Sequence, residues 1–267
     1  MFSKLSIAAL LAIASSIAAL PQQTAVPSLG PLIGEEAVID KADYPHKHGA
    51  IAHADGVAPL APSPTTPPQK RAASQLVIEV INKFGKDVYT RHAHNQGGPG
   101  AISGNVADGV LKNGASAAFA VPTGWAGNIA VVENGGGRKI VGDESLIEGS
   151  FVAQAGVGSG AIIDVDVSYV SGFSVPIVCS CDEVGHVVTG CNKNLWGLNS
   201  CPNDNRVGSC KNPQRTQDFD NAQPSKFFAT CAHQAFTVPR DPGANANNIC
   251  TRGVVRCCIG TSCPGHP

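Results

Sequence analysis

All ten cysteines of this 267-residue chain lie between Cys179 and Cys263. Thiols at that density either pair as disulfides or bind a metal. A zinc site would draw on Cys179, Cys181, His186 and Cys191. Cys-x-Cys spacing suits a zinc knuckle poorly, however, and no Cys-x-x-Cys pair occurs. Ten is an even number, so the expectation is up to five disulfides among Cys179, Cys181, Cys191, Cys201, Cys210, Cys231, Cys250, Cys257, Cys258 and Cys263, with their connectivity left open. Adjacent Cys257 and Cys258, and the Cys179/Cys181 pair, are each expected to reach two different partners. Acids flank the point where the cysteines begin: Asp164 and Asp166 before it, Asp182 and Glu183 after it. Carboxyl groups brought together can divide acid and base roles, but sequence alone does not place these four relative to one another.

The stretch from Asp166 to Ile177 reads as a strand running up to a turn, a hinge between a β body and a cross-linked lobe. Upstream, Leu76–Asn82 alternates and is rich in β-branched residues, and Val88-Tyr89-Thr90 follows a Lys83–Asp87 turn. That pair reads as a hairpin or a bulged strand. Further short strands are expected at Gly109–Ser116, Ala118–Pro122, Ile129–Val132, Lys139–Val141, Ser145–Phe151 and Ala161–Val170. Strands at roughly ten-residue spacing with turn residues between them describe a sandwich or barrel. Beyond Ile177 few apolar residues remain to pack, so disulfides at about 2–5 kcal/mol each must hold the lobe. One lobe segment, Gln223–Phe236, reads as a helix capped by Ser225, with Phe227, Phe228, Cys231 and Ala235 on one face. Gly253–Ile259 reads as a strand returning to the sheet.

The N-terminal end reads differently. Lys4 followed by the apolar run Leu5–Leu20 has the form of a secretory signal over residues 1–19. Residues 20–71 are Pro- and Ala-rich and expected to be extended or disordered, as a pro-segment or linker ending in Lys70-Arg71. A dibasic pair just before ordered sequence suits a kexin-type processing protease of a fungal secretory route. His46, His48 and His53 are scattered, and no metal or cofactor is assigned. With 19 basic and 20 acidic residues the net charge is −1, with no basic stripe to draw nucleic acid. No membrane span is expected once the signal is removed, and the product is expected to be a secreted, extracellular monomer.

Several blocks, in order, resemble the thaumatin-like family of pathogenesis-related proteins, the osmotin and thaumatin group. They are Glu79–Asn82 with Val88-Tyr89; Leu111-x-x-Gly114-x-Ser116 with Val121-Pro122-x-Gly124-Trp125-x-Gly127; Ser145–Glu148; Asp166–Val170 with Gly172-Phe173-x-Val175-Pro176; and Ser225-x-Phe227-Phe228 with Cys231 and Ala235-Phe236. The resemblance covers nearly all of residues 75 to 260. It implies an all-β fold: a β-sandwich body (72–177), a disulfide-rich lobe with a short helix (178–250) and a returning strand (251–263). It also implies an acidic cleft between body and lobe, associated with binding, and in some members hydrolysis, of β-1,3-glucan.

The family cleft holds an arginine, a glutamate and three aspartates. Glu148 and Asp166 fall on two of those positions. Val132 stands at the arginine, Ser171 at one aspartate, and Gln234 or His233 at the last. The cleft expected here is therefore lined by Glu148, Asp166, Ser171, Asp182 and Phe173. Phe84 stands where the family has a cysteine, and the strand after Gly127 lacks another, so hydrophobic packing must hold the body. The implied function is binding of cell-wall β-1,3-glucan or a related polysaccharide. One alternative is an endo-β-1,3-glucanase with Glu148 as acid and Asp166 as base or nucleophile. The other is a secreted effector or elicitor that contacts a host surface protein.

Overall fold

The computed structural model describes residues 29–39, 73–153, 161–216 and 222–267. The signal-like stretch 1–19, the proline-rich run and Lys70-Arg71 lie outside the described residues. In chain order the strands are β1 (Ala37–Ile39), β2 (Leu76–Asn82), β3 (Val88–Asn95), β4 (Ser103–Gly104), β5 (Gly109–Leu111), β6 (Ser116–Val121), β7 (Trp125–Glu133), β8 (Ser145–Ala153), β9 (Ala161–Ser168), β10 (Gly172–Phe173), β11 (Ile177–Cys181), β12 (Val187–Cys191), β13 (Cys210–Lys211) and β14 (Val254–Ile259). One short helix, α1 (Leu195–Leu198), lies in the lobe. The fold is all-β with that single small helix.

Two large sheets organise the strands. The first runs β1-β3-β7-β8-β9, with β5 also on β3; the second runs β12-β11-β14-β2-β6-β4. Alternating apolar residues of both, among them Ile78, Phe119, Trp125, Ile147, Ile163, Val167, Val255 and Ile259, join one core. The expected β2–β3 hairpin does not form. Both edges of β2 are taken, by β6 and by β14, so the Lys83–Asp87 turn carries the chain into the other sheet. Asn82 fixes that departure: its amide donates to the carbonyls of Lys86 and Leu111, each at 2.9 Å, and its Oδ1 accepts from the Phe84 N–H. Phe84 packs partly buried against the core. The returning strand β14 lies between β2, parallel, and β11, antiparallel.

Two further expectations are corrected. Lys139–Val141 is irregular rather than a strand, and the Glu144 carboxylate accepts from the N–H groups of Val141 and Gly142 at 2.7 and 2.8 Å. The lobe segment 223–236 is not an α-helix: only Ala229–Cys231 forms a 3-10 turn. His233 takes a left-handed backbone at φ 65°, and its N–H donates to Asp241, which stops the helix. Phe236 is then drawn to the edge of β9, where its N–H donates to Val167 O and its carbonyl accepts from Tyr169 N–H. The expected face is buried nonetheless, since Phe227, Phe228, Cys231 and Ala235 all lie in the core.

All ten cysteines are paired, as Cys179–Cys257, Cys181–Cys250, Cys191–Cys231, Cys201–Cys210 and Cys258–Cys263. Neighbouring cysteines do reach different partners. Cys179 and Cys257 are direct register partners of β11 and β14. The hinge is locked from inside: the buried Tyr169 hydroxyl donates to the Cys191 carbonyl and accepts from the Ile177 N–H, both at 3.0 Å. Gly172 follows because a Cβ there would run into the carbonyl oxygens of Asp143 and Cys210. Among the described residues no helix is long and apolar enough to cross a membrane.

Candidate functional site

Alternation along β7, β8 and β9 sends Ile129, Ile147, Phe151, Ile163, Val165 and Val167 into the core. The residues between them therefore project from the other face. The register sets Asn128 beside Glu148 and Glu148 beside Asp166, while the next row sets Ala126 beside Ser150 and Ser150 beside Asp164. Directly opposed side chains have Cβ atoms about 4.5–5.5 Å apart, with diagonal neighbours at about 7–8 Å, still within reach of long side chains. The geometry thus brings Glu148 and Asp166 together and adds Asp164 as a third acid.

This ladder is closed to solvent: Glu148 is 6% exposed and Asp164 and Asp166 are each 3% exposed. The lobe chain runs along the β9 edge, where Phe236 bonds to Val167 and Tyr169, and Asn248 N–H donates to Ile163 O at 2.8 Å. Burial pushes the Asp166 carboxyl well above the ordinary carboxylate range, and the neighbouring charges of Glu148 and Asp164 push the same way. Asp166 Oδ1 has no hydrogen-bond partner among the described residues.

The other expected cleft residues lie elsewhere. Phe173 is fully buried, edge-on to Tyr169 at 5.0 Å and Phe227 at 6.0 Å, so it is a core ring that no ligand can reach. Ser171 is buried in the hinge, and its carbonyl accepts from Asn212 N–H. Asp182 pairs with Arg256 of β14, whose Nε also holds Glu79 of β2 at 3.0 Å, placing it on the second sheet. Glu183 accepts from the Arg252 N–H. Val132 is fully buried, and His233 Nδ1 lies 2.8 Å from Asp241.

An open groove that the sequence reading passed over lies at Trp196, on α1. Leu195 anchors the helix in the core, while Trp196 is 37% and Leu198 55% exposed. The indole is held rigid: Nε1 donates to Ser174 O at 3.1 Å, and the ring stands edge-on to Phe227 at 5.7 Å. Beside it is a groove of about 620 Å³, walled by Phe84 and Lys86, by Glu133 and Arg138, and by Asn194, Asp204 and Arg206. A second hollow of about 500 Å³ adjoins it through Trp196, Asp204 and Arg206. The charges around the groove are paired with one another, Glu133 taking both Lys86 at 2.8 Å and Arg138 at 3.6 Å, and Asp204 taking Arg206 at 3.7 Å, which leaves one positive charge in excess. The side chain of Asn194 makes no cap for its own helix. The signal in the sequence was a tryptophan in a lobe with few apolar residues, flanked by Asn194 and Asn199.

No protein-family model matches the chain, and no curated protein matches it.

Proposed function

We propose that this chain is a secreted polysaccharide-binding protein of thaumatin-like architecture, taking cell-wall β-1,3-glucan, and that the saccharide lies in the Trp196 groove. The observation that carries the reading is the pinned, partly exposed indole bordering an open groove lined by mixed polar and charged groups. Sugar rings present C–H faces that pack on aromatic rings and hydroxyls that bond to planar polar groups. Asn194, Asp204, Arg206 and Arg138 supply such groups beside Trp196. Donors and acceptors thus both face the groove, as the hydroxyls of a polyol require. The ordered thaumatin-like sequence blocks and the five disulfides support the secreted assignment.

Binding is favoured over hydrolysis. Cleavage of a glycosidic bond needs two carboxyls about 5–9.5 Å apart flanking the sugar. Glu148 and Asp166 are neighbours on paired strands and almost wholly buried, leaving no place between them for a sugar ring. Retention on insoluble β-1,3-glucan tests the reading. The wild type is expected to be retained without releasing reducing sugar, and Trp196→Ala, with its fold confirmed by thermal melting, is expected to pass through. Equal retention of Trp196→Ala and wild type, or release of sugar that Glu148→Gln abolishes, would reject it.

A further inference from the structure

Residues 29–39, expected to be part of an extended or disordered pro-segment, are built onto the body. Ile33 N–H donates to Gly104 O at 2.7 Å, and Ile33 O accepts from Val106 N–H at 2.9 Å, along the edge of the second sheet. Three residues on, Glu36 spreads its carboxylate between two donors: Oε1 accepts from the indole N–H of Trp125 at 3.2 Å, and Oε2 from Ala101 N–H at 2.6 Å. β1 then pairs in parallel with β3 of the first sheet, from Ala37 opposite Ala93 to Ile39 opposite Asn95. Gly34 sits at φ +86°, and a Cβ there would meet the backbone of Ala107.

The manner of attachment is that of a ligand. Leu32, Ile33 and Val38 remain 44%, 56% and 61% exposed, while Leu29 packs against the small buried cluster of Val77, Ala120 and Val254. Main-chain bonds, the Glu36 carboxylate and the Leu29 side chain hold it, which is how an added strand is recognised on a sheet edge. It also lies upstream of Lys70-Arg71, the dibasic pair that suits processing.

We propose that the β3 and β4 edges, with the Trp125 indole N–H and the Ala101 N–H between them, form a binding site for an extended peptide carrying Gly-x-Glu. Residues 29–39 occupy this site in cis, and cleavage at Lys70-Arg71 leaves them bound as a separate chain. Main-chain pairing supplies the affinity; Gly34 and Glu36 supply the selectivity. The test uses the full chain with a sequence-specific protease site in place of Lys70-Arg71. After complete cleavage, native gel filtration with mass spectrometry asks whether the N-terminal fragment travels with the body. Co-elution is expected for the wild type, with fragment release at least ten-fold faster for Glu36→Ala and for Gly34→Val. Separation of the wild-type fragment from the body, folded or not, overturns the proposal, as does release at the same rate in all three proteins.

Discussion

Asp166 is the residue whose surroundings oppose its own charge most plainly. It is buried beside Glu148 and Asp164, and its carboxyl lies well above its ordinary value of 3.8. Between that value and the raised one, the folded chain holds a proton that the unfolded chain has lost. Stability linked to this group is therefore fully present below about 3.8 and is lost as pH rises through the raised folded value. Asp166→Asn keeps the shape, removes the charge and offers an N–H to its acidic neighbours. It is expected to stabilise the fold at pH 7 by on the order of 1–2 kcal/mol, a few degrees in Tm, with little gain at pH 4. Thermal melts at the two pH values check this. A loss of stability at pH 7 would mean that the carboxylate is held by a partner it needs.

At the scale of elements, the returning strand is the one whose fastening can be graded. β14 is tied to β11 by Cys179–Cys257, across a sequence separation of 78, while Cys258–Cys263 closes a loop of separation 5. Because Cys181–Cys250 already closes nearly the same loop, loop-closure entropy assigns only about 2–3 kcal/mol to the first and about 2 kcal/mol to the second. Replacing Cys258 and Cys263 by serine should lower the denaturant midpoint by nearly as much as Cys179→Ser with Cys257→Ser. A several-fold larger loss for the Cys179–Cys257 pair would mean that this cross-link holds β14 in place beyond its loop entropy. The alternation of apolar residues made β2, β8, β9 and β14 legible beforehand, because period two is a local property. What pairs with what is not local. The Lys83–Asp87 turn looks like a hairpin until β14, far along the chain, takes the place beside β2. For the same reason the Glu148–Asp166 pairing could be anticipated from strand neighbours, while Asp182 was lost to Arg256 of β14. The lobe helix failed at His233, where a left-handed backbone and the β9 edge outweighed an apolar periodicity. Residues 29–39 carry apolar residues without strand or helix periodicity, because main-chain bonds, Glu36 and Leu29 hold them rather than one buried face.

For the molecule as a whole, a net charge of −1 leaves little global repulsion, so individual buried groups set how stability varies with pH. His92 is the counterpart of Asp166. It is buried on β3, edge-on to Phe119 at 5.1 Å, and burial pushes it down to about 4 from an ordinary 6.5, against the pull of Asp108. Between pH 6.5 and 4 the unfolded chain gains a proton at His92 that the folded chain refuses. Stability from this group is thus fully present above 6.5 and falls with decreasing pH, by about 3 kcal/mol at about 1.4 kcal/mol per unit. Asp166 slopes the other way, so it works against the His92 slope in the wild-type profile. His92→Leu removes one of the opposing slopes. Its packing change shifts stability equally at every pH, so the slope alone reports the titration. Denaturant unfolding from pH 4 to 7 should show the wild type gaining stability with pH relative to the variant, by about 3 kcal/mol across the window. A variant profile parallel to the wild type would mean that His92 is not held neutral by the fold.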